Sequence, residues 1–253
     1  MTGSTVRTGR DGDIDVVVLD SVANRNALSL ALMSGLVDAV DASASGDGRA
    51  LVLDHTGAVF CPGVDLKERL ASGDDRHSRL FADVLRTLWR YPKPIVARVA
   101  GAARGGGMAM LSCCDIVVAS SAASFAYSEV RVGVAPALVL AVTASKVGVG
   151  PLLPWMLTGD AFDPAEAQRL GLVHRVAGDA DASLRPECDA LRAAAPGALV
   201  ATKQLARRLT GDGGLDALDA MEAVSVELFR TAEAAEGMAA FAERRPPSFA
   251  NAH

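Results

Sequence analysis

The sequence has little positive charge, and most of what it has comes from arginine. Only four of its 25 basic residues are lysines, against 30 acidic residues, for a formal net charge of -5. Nonspecific binding to nucleic acid depends on a positive field that attracts phosphates. The charge balance therefore argues against a nucleic-acid partner, and we attribute the arginine bias to genome composition.

Signals for a membrane span, secretion, disulfides or metal are also missing. No run of about 18 apolar residues occurs, and residues 1–13 (MTGSTVRTGRDGD) lack the apolar stretch of a signal peptide. The four cysteines show no CxxC spacing, and Cys113 and Cys114 are adjacent, a poor geometry for a disulfide. The four histidines show no metal-ligand spacing. We expect a cytoplasmic protein with reduced cysteines, no membrane association and no metal.

Aromatic residues make up only 4% of the chain, whereas apolar residues make up 50% and there are 24 glycines. These values indicate an aliphatic core with close approach between backbone segments. A chain of 253 residues is long enough for one large domain whose core needs no disulfide or metal to stabilise it.

Strand and helix patterns alternate along the first half of the chain. The sequence predicts a hairpin turning at Asp11-Gly12, with its second strand over residues 14–20. Further strands are predicted over 49–54, 95–100 and 116–119, and helices over 29–44, from Asp65, over 75–90 and over 108–113. Residues 101–107 are predicted as a glycine-rich turn. After Pro136 the pattern is mainly helical, apart from 172–176, and the succession indicates an α/β fold with parallel strands.

Residues 101–107 (GAARGGG) lie between a predicted strand and a predicted helix. They match neither the GxGxxG dinucleotide pattern nor a phosphate-binding P-loop. Consecutive glycines at a helix start leave backbone N–H groups unshielded, which suits an oxygen that becomes anionic during reaction. Close packing of the helix on the strand is the alternative explanation for the same glycines.

Two other segments contain candidate functional groups. In residues 60–68 (FCPGVDLKE), Gly63 permits an unusual backbone angle and Asp65 can cap the next helix, which places the Val64 N–H at a loop-to-helix junction. Glu129 is the only acid between residues 122 and 158. Apolar surroundings would raise its pKa, as a general acid or base requires. An ion pair with Arg131 or exposure to solvent is the alternative.

Six segments, in order along nearly the whole chain, resemble the enoyl-CoA hydratase/isomerase (crotonase) family. They are residues 24–28 (NRNAL), 60–68 (FCPGVDLKE), 105–115 (GGGMAMLSCCD), 125–136 (FAYSEVRVGVAP), 157–176 (LTGDAFDPAEAQRLGLVHRV) and 236–249 (EGMAAFAERRPPSF). The resemblance implies an α/β crotonase spiral of repeated β-β-α units. Its core would span residues 1–195, and residues 196–253 would form a C-terminal helical oligomerisation region of a homotrimer or a dimer of trimers.

The resemblance also implies roles for individual residues. The N–H groups of Val64 and Gly106 would form the oxyanion hole for a thioester carbonyl, and Glu129 would be the catalytic acid/base. Coenzyme A would be part of the substrate, with no separate cofactor. Its acyl ester would contact Arg25, Ala27, Cys61, Gly63, Asp65, Leu66, Lys67, Gly105, Pro136, Phe241 and Arg244.

Ala109 is the main departure from the family pattern, because the first catalytic glutamate of the family falls at this position. Hydration of a 2-enoyl-CoA through Glu129 alone is the favoured interpretation, and the segment around Glu129 is similar to hydratases of branched or glutaconyl-type esters. The alternatives are a double-bond shift, which needs one base, and an acyl-CoA-binding protein without turnover. Asp65, Glu68 and Asp74 are candidate replacements for the missing acid.

Overall fold

In the computed structural model, which describes residues 5–72, 74–210 and 213–251, the strands form two sheets. The larger sheet contains, side by side, β1 (Val6–Asp11), β2 (Ile14–Leu19), β3 (Ala50–His55), β5 (Ile95–Val99), β7 (Ile116–Ser120) and β10 (Arg175–Ala177). The smaller sheet contains β4 (Val59–Cys61), β6 (Ala102–Arg104), β8 (Ser124–Ala126) and β9 (Ala161–Phe162). Among the strands in the described ranges, the β1–β2 and β8–β9 pairs are antiparallel and the others are parallel.

Helices cover these sheets and dominate the second half of the chain. They are α1 (Leu30–Ser45), α2 (Leu66–Ser72), α3 (Arg76–Arg90), α4 (Gly106–Cys113), α5 (Ala137–Val147), α6 (Leu153–Thr158), α7 (Pro164–Arg169), α8 (Ala180–Ala193), α9 (Pro196–Thr210), α10 (Gly213–Phe229) and α11 (Ala232–Glu243). Short 3-10 turns occupy Val22–Asn24, Glu129–Val132 and Ser248–Asn251. In the described ranges no helix is long and apolar enough to cross a membrane.

A strand–strand–helix unit repeats three times and winds as a spiral. The units are β3–β4 with α2 and α3, β5–β6 with α4, and β7–β8 with α5. Equivalent strands pair in parallel from one unit to the next, with Leu51 opposite Ile95 in the larger sheet and Ala102 opposite Ser124 in the smaller one. The predicted crotonase-type α/β fold is therefore confirmed.

The sequence predicted the long elements and missed the short ones. The hairpin and α1, α3 and β7 lie within a residue or two of their predicted bounds. The prediction of residues 101–107 as a turn was wrong in part, because Ala102–Arg104 forms β6, and the strand predicted over 172–176 lies at Arg175–Ala177. Strands of two or three residues are too short to show an alternating pattern, so only pairing with neighbours defines them.

The main core lies between the larger sheet and helices α1, α3, α4 and α5. It is aliphatic, as the composition predicted, and α10 joins it through the fully buried Leu218 and the partly buried Leu215. The predicted boundary at residues 195/196 falls between α8 and α9. Helix α10 packs on α3 and α5 of the same chain, and its residues Ser225 and Phe229 line a cavity beside them.

Candidate active site

A cavity of about 570 Å³ lies between the ends of β4 and β6, the turn Glu129–Val132, and helices α5, α10 and α11. Most of the residues predicted to contact an acyl-CoA line it. They are Arg25, Ala27, Gly63, Val64, Asp65, Leu66, Lys67, Gly105, Gly106, Glu129, Pro136 and Phe241. The chain thus brings together residues from several separate segments of the sequence.

The Val64 N–H is left free by the way its neighbours pair with Leu28. The Leu28 N–H donates to the Gly63 carbonyl (2.8 Å), and the Asp65 N–H donates to the Leu28 carbonyl (3.2 Å). In a parallel bridge of this kind the residue between the two bonded neighbours directs its own N–H to the opposite side. The Val64 N–H has no acceptor within the described residues, and Val64 lines the cavity.

The Gly106 N–H is the first of helix α4, so no carbonyl within the helix can accept from it. Nor does any other described residue accept from it. A Cβ built on Gly63 would lie 3.5 Å from this nitrogen, so the loop and the helix start lie side by side here. Two unsatisfied donors on adjoining segments are the arrangement that stabilises an oxyanion.

Close packing is the second reason for the glycine run. A Cβ on Gly107 would lie 2.6 Å from the Cys61 carbonyl oxygen, and one on Gly106 would lie 2.6 Å from Leu28 Cδ1. Both explanations offered by the sequence therefore apply to GAARGGG: the helix packs tightly on β4, and its first N–H remains exposed to the cavity.

The carboxylate of Glu129 is buried at the cavity wall and unpaired. Neither of its oxygens has a hydrogen-bond partner among the described residues, and burial raises its pKa to about 7. The alternative of an ion pair with Arg131 is excluded, because the Arg131 guanidinium binds Asp160 Oδ1 (2.5 Å) and the Gly159 carbonyl (3.2 Å) instead. A carboxyl group that is about half ionised at neutral pH can both accept and donate a proton there.

No acid in the described part of the chain takes the place of the missing glutamate at Ala109. Ala109 is fully buried and is not among the cavity-lining residues. Asp65 accepts from Asn24 Nδ2 and the Glu68 N–H, and Glu68 accepts from the Leu30 N–H and lies 3.0 Å from His77 Nε2. Of the two acids that line the cavity, Asp65 and Glu129, only Glu129 has a carboxylate free of hydrogen bonds.

Two of the predicted contact residues are not among the lining residues. Cys61 is fully buried beneath the loop, where its Sγ accepts from the Gly63 N–H at 3.4 Å and burial raises its pKa to about 12. Arg244 ends α11 in the left-handed conformation (φ 57°), and the next residue, Arg245, lines the cavity in its place. Arg245 also pairs with Glu236 and Glu243.

Arg25 and Lys67 are exposed cations on the cavity wall. Their side chains form no ion pair with any residue that the structure describes. Unpaired basic side chains beside a cavity are available for an anionic ligand group such as a phosphate.

The sequence predicted pocket walls over residues 70–85 and after Pro136, but it did not identify the part of the inner wall that α10 contributes. That wall is made by buried or partly buried side chains from α3, α5 and α10 and from the loop before α5, namely Phe81, Val134, Leu138, Val139, Ser225 and Phe229. Helical periodicity places such residues on a buried face but cannot tell a cavity wall from the core. The α10 residues in particular join the cavity only through the tertiary packing of α10 on α3 and α5.

Comparison with known proteins gives a consistent result along the chain. The sequence pattern of the enoyl-CoA hydratase/isomerase family matches residues 9–252. A Thermus thermophilus protein provisionally named an enoyl-CoA hydratase is 34% identical over 247 residues, which cover 94% of this chain and 98% of that one. The enoyl-CoA hydratase EchA19 of Mycobacterium tuberculosis is 31% identical over 271 residues, covering 98% and 99%.

Solved structures agree with the sequence comparison. A crystal structure of an enoyl-CoA hydratase from Mycobacterium avium matches with a TM-score of 0.88 at 32% identity, covering 98% of this chain and all of that one. Because sequence and structure both match over almost their full length, this chain belongs to the enoyl-CoA hydratase/isomerase family.

Proposed function

We propose that this protein hydrates a 2-enoyl-CoA to a 3-hydroxyacyl-CoA, with Glu129 as the single acid/base and the N–H groups of Val64 and Gly106 as the oxyanion hole. The observation that carries the proposal is the buried, unpaired carboxylate of Glu129 beside the Gly105–Gly106 backbone. Relatives above 30% identity that are named enoyl-CoA hydratases support the reaction class.

In the proposed reaction the thioester carbonyl oxygen accepts hydrogen bonds from the two free N–H groups. The ionised Glu129 removes a proton from water while the water oxygen bonds to C3, and the C2=C3 electron pair moves toward the thioester. The negative charge that develops on the carbonyl oxygen is stabilised by the two donors. Glu129 then returns its proton to C2, so that one water is added and the carboxylate is regenerated.

A pKa near 7 suits both halves of this cycle. The carboxylate must be basic enough to take a proton from water and acidic enough to deliver it to C2, and general acid–base catalysis is most efficient when the pKa lies near the working pH. Because position 109 is an alanine, it supplies no second carboxylate to hold the water. Glu129 therefore takes the proton from water and also delivers it to C2.

Arg25 and Lys67 are proposed to bind the phosphates of the nucleotide end of coenzyme A. Both are exposed, line the cavity and have no ion-pair partner within the described ranges. Arg25, in the left-handed conformation (φ 59°), ends the 3-10 turn that precedes Ala27, which places its side chain on the loop beside the cavity.

Double-bond isomerisation is the second candidate, and the same observation favours it. Moving a double bond between C3=C4 and C2=C3 needs one base that removes a proton from C2 and returns it at C4. Glu129 is the one carboxylate free of hydrogen bonds among the lining residues. Hydration and isomerisation therefore share the oxyanion hole and differ in whether water reaches C3.

We also propose that the protein assembles as a homotrimer or a dimer of trimers through residues 196–253. The helices of this region present exposed apolar side chains, including Leu205 (58% exposed) and Val224 (40%). Light scattering after gel filtration measures the assembly, and a monomer at micromolar concentration would contradict this proposal.

The reaction is tested with a panel of crotonyl-, longer 2-enoyl-, 3-enoyl- and 3-methylglutaconyl-CoA. Loss of the conjugated enoyl absorbance with formation of a 3-hydroxyacyl-CoA is expected for hydration. A gain of conjugation from the 3-enoyl ester identifies the isomerase instead. If every ester binds and none is converted, the proposal of an enzyme fails and a binding protein remains.

A further inference from the structure

Two acids, Asp65 and Glu129, and no buried cation line the cavity in the described ranges. The cations that line the cavity, Arg25, Lys67, Arg131 and Arg245, are all exposed residues, so they lie toward its mouth. The buried lining residues are apolar or small, with Phe81, Leu138 and Val139 each less than 5% exposed. A carboxylate at the end of an acyl chain would have no cavity-lining cation beside it there, which is unfavourable. The buried guanidinium of Arg69 lies on the Phe229 ring, 4.3 Å from its centroid, and is not itself a lining residue.

Phe81 places this inner region beside the oxyanion hole. A Cβ built on Gly106 would lie 3.1 Å from Phe81 Cζ, so the ring is in contact with the backbone of the proposed oxyanion donor. The Phe81 ring therefore forms part of the cavity wall next to the proposed oxyanion donor.

Ser225 faces the same region from the opposite helix. Helices α3 and α10 run antiparallel, because Gly214 contacts Trp89, Arg86 binds Glu222 and Arg230 binds Asp75. Since Ser225 lies between Glu222 and Arg230 in the sequence, it should lie opposite the middle of α3, near the level of Phe81. Both residues line the cavity.

The hydroxyl of Ser225 lines the cavity and has no protein partner in the described part of the chain. Several other helical hydroxyls bond back to the carbonyl one turn earlier, as Ser112 does to Met108 (2.9 Å), Ser145 to Ala141 (3.0 Å) and Thr143 to Val139 (2.7 Å). Ser225 is only 6% exposed, yet its Oγ has no hydrogen bond to any residue that the structure describes. The Ser225 Oγ is not among the fully buried polar atoms, so a ligand or water in the cavity can reach it and complete its hydrogen bonds.

We propose that Ser225 determines substrate specificity by binding a neutral oxygen, a hydroxyl or a carbonyl, on the acyl chain of the substrate. This inference rests on the proposed function, since it assumes an acyl-CoA in the cavity. The preferred substrate is then an acyl-CoA whose chain is uncharged and carries an oxygen beyond the Phe81 ring. A plain alkyl chain would fill the same space but leave the Ser225 hydroxyl unsatisfied, and a dicarboxylic chain of the glutaconyl type is disfavoured.

The inference is tested with 2-enoyl-CoA esters from butenoyl to octenoyl, each with and without a hydroxyl on its terminal carbon. At the chain length that reaches Ser225, the hydroxylated ester should have a kcat/KM about fivefold to tenfold higher than its plain counterpart, the effect of one neutral hydrogen bond. Ser225→Ala should remove this preference, in part by raising kcat/KM for the plain esters, which then leave no hydroxyl unsatisfied. Ser225→Thr, which retains the hydroxyl, should keep it.

Ser78→Ala is the matched control, because Ser78 is also buried and unpartnered among the described residues but is not one of the cavity-lining residues. It should retain the preference. The absence of a preference at every chain length, or its persistence in Ser225→Ala, would overturn the inference. Affinities of the corresponding saturated esters measure the same preference without turnover. Loss of all turnover would therefore count against the proposed reaction, while these affinities still decide the role of Ser225.

Discussion

Gly105 and Glu129 are in direct contact, although they are separated by a helix and two strands along the chain. A Cβ built on Gly105 would lie 3.0 Å from Oε1 of Glu129, and Gly105 adopts a positive φ of 48°. The Gly105 N–H donates to the Ala126 carbonyl at 3.1 Å, which ties the glycine run to the strand that precedes Glu129. The same backbone segment thus forms the wall beside the acid and presents the Gly106 N–H.

Gly105→Ala should therefore lower kcat by about a hundredfold or more, because the added methyl displaces the Glu129 carboxylate from its position beside the proposed oxyanion hole. It should also destabilise the fold by about 1–3 kcal/mol, because φ 48° with ψ -114° is a backbone conformation that residues other than glycine rarely adopt. Gly148→Ala is the control: Gly148 also has a positive φ, 78°, and a Cβ added to it would meet nothing within 4 Å. It should lose similar stability but no activity. Equal activity in both variants would contradict a role for the Gly105 contact.

The raised pKa of Glu129 makes stability depend on pH. Its value in the folded protein, about 7, exceeds the ordinary 4.5, so the folded state binds this proton more tightly than the unfolded state does. The contribution is fully present below pH 4.5 and is lost as the pH rises through about 7, by up to about 1.4 kcal/mol per pH unit. Glu129→Gln should flatten this part of the profile in urea unfolding between about pH 5 and pH 8. An unchanged profile would mean that Glu129 has an ordinary pKa.

Asn26 holds the loop that positions Leu28 against Val64. Its side chain accepts from the Ser21 N–H (2.8 Å) and donates to the carbonyls of Thr56 (3.0 Å) and Val59 (2.9 Å), and its φ is 62°. Asn26→Ala should destabilise the fold by about 2–4 kcal/mol, from lost hydrogen bonds and a strained φ. Asn26→Gly relieves the strain but not the lost bonds, so thermal unfolding should place it between the alanine variant and the wild type. Equal stability of the two variants would rule out a contribution from φ.

The substitution Ala109→Glu should not provide a second catalytic acid. Ala109 is fully buried in the main core and is not a cavity-lining residue, so the carboxylate of Ala109→Glu would be placed among apolar side chains. We expect a loss of about 2 kcal/mol or more in stability and no gain in hydration. Ala109→Met, which adds comparable bulk without charge, separates overpacking from the buried carboxylate. A stable Ala109→Glu variant with faster hydration would show that position 109 still reaches the substrate.

The sequence predicted the parts of the site that depend on local pattern. The Val64 junction, the GGG helix start and the isolated acid at Glu129 can each be recognised from a few neighbouring residues, and the structure places all of them on one cavity. The long elements of the fold were predictable for the same reason. The six-segment resemblance then placed them in one architecture.

The remaining features depend on contacts between distant segments. The presence of Ser225 on the cavity wall follows from how α10 packs on α3 and α5, which no local pattern encodes. The sequence predicted Arg244 as a contact residue, but the next residue, Arg245, lines the cavity instead. Arg244 adopts a left-handed φ at the end of α11, where the chain turns. The burial that raises the pKa of Glu129 was expected from its apolar neighbours, but its lack of a partner among the described residues became visible only in the structure.

The most direct test of the central claim compares Glu129→Gln with the wild type on the best ester of the panel, with product analysis and with affinity for a saturated acyl-CoA measured in parallel. Gln is similar in size to Glu but cannot exchange a proton, so we predict a fall in kcat of about a hundredfold or more with nearly unchanged affinity. Hydration at the wild-type rate in Glu129→Gln, with the same 3-hydroxyacyl product, would contradict the assignment of Glu129 as the acid/base.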